Sequence, residues 1–197
     1  QAAQLARTGM HPVVATDADR AGRIAAEGAY WMLSCHRLDP LYAQLPDGTD
    51  PADLLALRGP TALIRALAVA QPLAQRLLEE RLANLPPAQA PLEAIQVVAA
   101  RPARHWADDS SVISLRLGVP MAQIRHTLLT LVKQWNTDPR RAAQQPLRAI
   151  SEVTHRISST VQSPGEQPKI PRARAARRRA PASRAGSMPA PTRSSTR

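Results

Sequence analysis

With 197 residues, no Phe, three Trp and two Tyr, the chain has room for about one domain, and Ala, Leu, Val and Ile must fill its core, a composition that favours helix. The formal charge of +11 sits mostly at one end: residues 164–197 hold nine basic residues against one acidic, whereas the first 163 hold 17 against 14. A lone cysteine, Cys35, excludes an internal disulfide framework, and neither a signal pattern nor an apolar run of roughly 18 residues is present, so a cytoplasmic protein without a membrane partner is expected.

The first segment, residues 1–8, reads as a helix ended by Gly9. It has no capping residue before it, which suggests a fragment or a mis-started gene whose domain begins upstream. Residues 11–16 form a short run rich in β-branched side chains, as expected of a buried parallel strand. From Ala21 to Leu33 the pattern turns helical, with Ile24, Gly28, Trp31 and Met32 on one face and Arg23 and Glu27 paired on another. A second strand is expected over 41–45, ended by the turn Pro46-Asp47-Gly48.

Asp50-Pro51 then opens a helix that stops at Gly59, with Asp as cap and Pro at its first position. A further helical stretch covers 60–85, kinked or broken near Pro72, and Pro86-Pro87 ends it. Beyond it the pattern predicts helices near 91–100, 106–117, 121–136 and 139–160, with a break at Gly118-Val119-Pro120. From about Ser163 the chain is Pro, Ala, Ser, Gly and Arg, a composition that buries too little apolar surface to offset its chain entropy, so a disordered tail is expected.

One constellation carries chemistry. In Val13-Val14-Ala15-Thr16-Asp17-Ala18-Asp19-Arg20-Ala21-Gly22, two carboxylates two residues apart follow a strand and project the same way. The carboxyl end of a parallel strand is where ligands bind. Hard cations such as Mg²⁺ take oxygen ligands, often one or two carboxylates completed by water and phosphate. Gly22 permits close backbone approach at the start of a helix whose free N–H groups favour anions. Taken alone, Asp-x-Asp before a helix is an ordinary helix start.

Together with Leu45-Pro46-Asp47-Gly48-Thr49-Asp50-Pro51-Ala52-Asp53-Leu54-Leu55, however, the segment resembles the TOPRIM domain of bacterial-type DNA primases. That family carries Asp-x-Asp-x-Ala-Gly at a strand end and Leu-Pro-x-Gly-x-Asp-Pro-Asp at a helix start. The resemblance covers residues 1–135, specifically at these two motifs and loosely afterwards. It implies a partial TOPRIM domain, α/β with a Rossmann-like parallel sheet, over 1–85, an α-helical subdomain over 86–160, and the basic tail over 161–197. By residue it implies Asp17, Asp19 and Asp50 as ligands of Mg²⁺ or Mn²⁺, in a protein that makes RNA primers for DNA replication. DNA or RNA and nucleoside triphosphates are the implied partners, with replication or mobilisation proteins of a plasmid or mobile element beside them.

The sequence departs from the family at two points. Ala52 stands where the second motif has its acid, and Asp53, one residue on, is turned by about 100° on a helix of ~3.6 residues per turn. The family's catalytic glutamate belongs to an earlier strand, so no catalytic residue is assigned. A noncatalytic DNA-binding or partner-binding remnant is the alternative reading, and another TOPRIM activity, nuclease or topoisomerase, a third. Tyr30 and Tyr42 lie inside the α/β part, which argues against a topoisomerase nucleophile.

The remaining candidates are weaker. Arg20 and Arg23 flank the acid pair, either to steady a phosphate or to balance charge. His11, His36, His105, His126 and His155 show no metal-like pairing, and Cys35 reads as a buried structural thiol. Trp31, Trp106 and Trp135 are expected to anchor the core. Residues 112–117 and 121–132 are either a packing pair or a helix-turn-helix that presents Gln123, Arg125 and His126. Tail residues Arg172, Arg174, Arg177, Arg178 and Arg179 suit nonspecific, salt-dependent phosphate contact.

Overall fold

The computed structural model describes residues 1–161, with side chains to residue 152. The tail expected from Ser163, with its five named arginines, and the His155 side chain lie outside the described residues. A short helix, α1 (Ala2–Thr8), ends at Gly9, whose φ of 68° is the left-handed turn the sequence anticipates. Strand β1 (Val13–Val14) follows, then α2 (Arg20–Ser34), β2 (Leu41–Tyr42), α3 (Pro51–Ala68) and β3 (Gln71–Pro72). The rest is helical: α4 (Leu73–Asn84), α5 (Ala90–Ala100), a single 3₁₀ turn at Ala103–His105, α6 (Trp106–Leu117), α7 (Met121–Thr137) and α8 (Pro139–Val161). Mostly helical with one small sheet, the architecture is α/β.

The sheet adds an unexpected antiparallel edge strand to the expected parallel pair. β1 and β2 pair in parallel, Val13 opposite Leu41 and Val14 opposite Tyr42. β3 then adds antiparallel to β2, giving the order β1-β2-β3. Pro72 explains why nothing in the sequence announces this strand: a proline reads as a break, yet on a sheet edge its missing N–H costs no ladder bond. The strands are also shorter than the expected 11–16 and 41–45. Pro12 supplies only its carbonyl, to Leu41 N at 2.9 Å, and by Thr16 the side chain is already bonded to the first turn of α2.

A second correction concerns α2. The face that packs inward carries Gly22, Ala26, Tyr30, Trp31, Leu33 and Ser34, while Met32 is 52% exposed. Arg23 and Glu27 do not pair. Glu27 instead accepts from Arg81 of α4 and from the indole N–H of Trp31, because a partly buried carboxylate gains more from a shielded partner than from an exposed neighbour on its own helix. The expected stop at Gly59 is present as a sharp kink, φ 74° and ψ 174°, inside α3. That helix buries only Leu54 and leaves Leu57 and Ile64 largely exposed.

Among the described residues one apolar core runs past Pro86-Pro87. Tyr30, Trp31 and Tyr42 belong to the same cluster as Leu73 and Leu77 of α4, Val97 and Val98 of α5, Ile113 of α6, Ile124 and Trp135 of α7, and Ala143 of α8. The Tyr30 hydroxyl donates to Val97 O at 2.8 Å, and complete burial raises its pKa well above the usual tyrosine range. Full burial of a Leu or Val side chain stabilises by roughly 1.5–3 kcal/mol, so this aromatic-poor core compensates with many aliphatic contacts. Trp31 and Trp135 are core anchors, and Trp106 packs at the core margin with its N–H on Arg101 O.

Candidate functional site

Asp19 caps α2. Its backbone is extended, and its Oδ1 accepts from Gly22 N at 2.6 Å, satisfying one of the free amides of the first turn. Asp50 does the same for α3, accepting from Asp53 N at 2.6 Å, with Pro51 at the first helical position. Two helices thus begin at two carboxylates that the sequence singles out. Each acid uses one oxygen in its cap.

Three further bonds hold the loops. Ala18 N donates to Thr49 O at 3.4 Å, which ties the first acidic loop to the second across the end of the β1–β2 pair. Thr16 Oγ1 donates to Gly22 O at 2.9 Å, and Thr49 Oγ1 closes its own turn on Pro46 O at 2.6 Å. Gly22 is buried, and a Cβ placed there would lie 1.9 Å from the carbonyl oxygen of Asp17. No side chain fits, because the helix start and the acidic loop pass too close. The sequence points to Gly22 but not to the bond between Ala18 and Thr49, which joins residues without chemical signature.

Asp17 and Asp19 are exposed and Asp50 is partly buried. Arg20 and Arg23 are exposed on the first turn of α2, and among the described residues neither is in an ion pair. Asp53 is exposed in the first turn of α3, where its charge suits the helix N-terminus. Among the described residues no three His, Cys, Asp or Glu side chains stand close enough to enclose a metal ion by themselves. The donor set is oxygen only, and it fits the Mg²⁺ habit of using one or two carboxylates with waters and phosphates for the rest.

Tyr30 and Tyr42 are 0% and 5% exposed, so neither presents a surface nucleophile. Cys35 is half-buried, its thiol donating to Trp31 O at 3.3 Å, and desolvation raises its pKa, which disfavours the reactive thiolate. His11 and His126 are exposed, while His36 and His105 sit at the boundary. In the 106–137 region, Gln123, Arg125 and His126 are exposed along α7.

One charged cluster carries no signature in the sequence. Arg101, at the end of α5, is 6% exposed and donates to Asp109 Oδ2 of α6 at 2.7 Å. Its other terminal nitrogen lies 3.7 Å from Asp39, which is also 3.5 Å from His105 Nε2. Asp39 immediately precedes Pro40 and β2, so the cluster anchors the strand that pairs with β1. Its members are scattered along the chain and share no spacing, which is why pattern alone does not find them.

No protein-family model matches the chain, and no curated protein sequence does. Its fold does resemble solved primase structures. One is the primase of Aquifex aeolicus, in its zinc-binding and RNA polymerase domains, with 22% identity, 63% of this chain and 30% of that one covered, and a TM-score of 0.51. Another is a DNA primase domain from Pseudomonas aeruginosa, with 21% identity, 64% of this chain and 43% of that one covered, and a TM-score of 0.52. The chain therefore spans less than half the length of either neighbour, and what it shares with them is a fold.

Proposed function

We propose that this chain is the metal-binding part of a TOPRIM-type primase, acting in RNA primer synthesis during DNA replication. The observation that carries the reading is the bond from Ala18 to Thr49, which draws two acidic loops, each capping a helix, to one end of the sheet. Asp17, Asp19 and Asp50 are the proposed carboxylates for Mg²⁺ or Mn²⁺, one or two of them binding directly while water and phosphate complete the shell. Once bound, such a cation supplies neutralisation of the triphosphate and orientation of its phosphates.

The chain's own part is to position. The cap bonds fix Asp19 and Asp50 against their helices, and Gly22 lets the Asp17 backbone approach α2 closely. Arg20 follows Asp19 directly and Arg23 stands one turn on, where guanidinium groups offer fixed donors to phosphate oxygens. The starts of α2 and α3 favour anions as well. Template nucleic acid and nucleoside triphosphates are the proposed partners, and the tail arginines Arg172, Arg174, Arg177, Arg178 and Arg179 add nonspecific affinity. The fold shared with parts of two bacterial primases agrees with this reading.

Mn²⁺ titration followed by electron paramagnetic resonance tests it. Asp17→Asn/Asp19→Asn is the informative variant, because Asn caps a helix as well as Asp and the fold should persist. The double variant is expected to lose most Mn²⁺ binding. Binding equal to that of the wild type would sink the cation site.

A further inference from the structure

We propose that the hydroxyl of Thr16 is a positioning group for Asp17, clasping the first acidic loop so that the Asp17 carboxylate stands beside that of Asp19. The inference rests on the reading of these acids as cation carboxylates, and it adds a residue that carries no charge and touches no cation.

The three acids are not held alike. Asp19 is fixed by its own Oδ1 on Gly22 N and Asp50 by its own Oδ1 on Asp53 N, both at 2.6 Å. The exposed Asp17 carboxylate has no such hold: among the described residues it is in no hydrogen bond or ion pair with the protein. Its place is therefore set by the backbone that carries it, and the bonds on either side of residue 17 decide where that backbone lies.

Two bonds flank it, and they differ in quality. Ala18 N reaches Thr49 O at 3.4 Å, long for an N–H···O bond, whose usual range is about 2.7–3.2 Å. Thr16 Oγ1 donates to Gly22 O at 2.9 Å and joins the residue before Asp17 to the first turn of α2. Thr16 is partly buried, which limits competition from water. Its branched Cβ also leaves few χ1 rotamers, so little freedom is lost when the hydroxyl is held.

Gly22 is where the holds converge. Its amide donates to Asp19, its carbonyl accepts from Thr16, and a Cβ on it would lie 1.9 Å from Asp17 O. The close approach of Asp17 to α2 is a contact without a bond of its own. The hydroxyl of Thr16 supplies the bond that keeps it closed.

The test uses the full chain, with Mn²⁺ affinity read by electron paramagnetic resonance and exchange of the Ala18 amide read by NMR in EDTA. Thr16→Val puts a methyl group in place of the hydroxyl at nearly the same shape, and Thr16→Ser keeps the donor. Thr16→Val is expected to weaken Mn²⁺ binding about 10-fold, as loss of a group that orients a metal ligand does, and to speed exchange at Ala18. Thr16→Ser should restore both. In an Asp17→Asn background Thr16→Val should weaken Mn²⁺ binding no further, because the hydroxyl acts through Asp17, whereas in an Asp19→Asn background its effect should persist. A brace that only steadies the fold would weaken binding equally in both backgrounds, and that result overturns the proposal. So does a Thr16→Val variant that binds Mn²⁺ as the wild type does, or a Thr16→Ser variant no better than Thr16→Val. If the wild type bound no Mn²⁺, the cation reading would fall by itself, and unchanged Ala18 exchange in Thr16→Val would then overturn the clasp while faster exchange would uphold it.

Discussion

Trp31 of α2 and Trp135 of α7 are stacked, their ring planes 18° apart and their centroids 6.3 Å apart, and both are almost wholly buried. In a chain without Phe, this pair and the edge-on contact of Tyr30 with Trp31, at 4.9 Å, carry most of the aromatic packing. Trp135→Ala should therefore cost about 3–5 kcal/mol in stability, the range for emptying a buried Trp site. Urea denaturation of Trp31→Ala, Trp135→Ala and the double variant should give a coupling of about 0.5–1.5 kcal/mol, as expected of aromatic pairs that touch. Strictly additive effects would mean that the rings do not support one another.

Two glycines of α2 should respond in opposite directions to the same change. Gly22→Ala sets a methyl group 1.9 Å from Asp17 O, so the acidic loop has to move, whereas nothing lies within 4 Å of a Cβ at Gly28. Gly28→Ala should stabilise by roughly 0.5–1 kcal/mol, the usual gain within a helix. Gly22→Ala should destabilise by about 1–3 kcal/mol, the range for overpacking, and should weaken Mn²⁺ binding although no carboxylate is changed. Thermal melts with and without Mn²⁺ measure both effects.

Asp50 allows its cap and its proposed ligand role to be separated. Asp50→Ala removes the acceptor for Asp53 N and should cost about 1 kcal/mol, while Asp50→Asn should keep the cap. Both should reduce Mn²⁺ affinity, because neither retains the charge. If Asp50→Asn bound Mn²⁺ as the wild type does, Asp50 would be a capping residue alone.

Asp109 should give an inverted pH signature. Burial raises its pKa, against the opposing pull of Arg101. In the folded state the proton is therefore held to a higher pH than in the unfolded chain, and stability falls as pH rises from the ordinary aspartate range through the raised value. Asp109→Asn removes this titration. Denaturation of both proteins from about pH 4 upward, starting where a free aspartate titrates, should show the wild type losing stability relative to the variant as pH rises. A difference independent of pH would count against the buried carboxyl titrating in this way.

The elements legible in the sequence are those with local causes. Gly9, Gly59 and Gly118 break helices because each takes a positive φ, and Asp19 and Asp50 start helices by capping them. What is not legible depends on distant partners. β3 hides in Gln71-Pro72, whose strand character comes from the bonds of its neighbour β2. The inward face of α2 is set by the helices packed on it, α4 and α8 among them, so Tyr30 turns in and Met32 out. The Arg101, Asp109 and Asp39 cluster joins a helix end, another helix and a loop. At the candidate site the acids and Gly22 are visible, and the amide of Ala18 on Thr49 is not, because a backbone bond leaves no mark on residue type.

The packing of α8 against α2 sets an order of events during synthesis. The rings of Trp31 and Tyr30 leave the ribosome more than a hundred residues before Trp135 and α8, on the order of 10 s at common elongation rates. Until α5 and α7 have followed, the acidic loops at the head of α2 rest on a helix whose inner face is bare. The nascent chain is then open to chaperone capture and to protease, and the later-made helices of the bundle decide when the earlier-made loops become fixed.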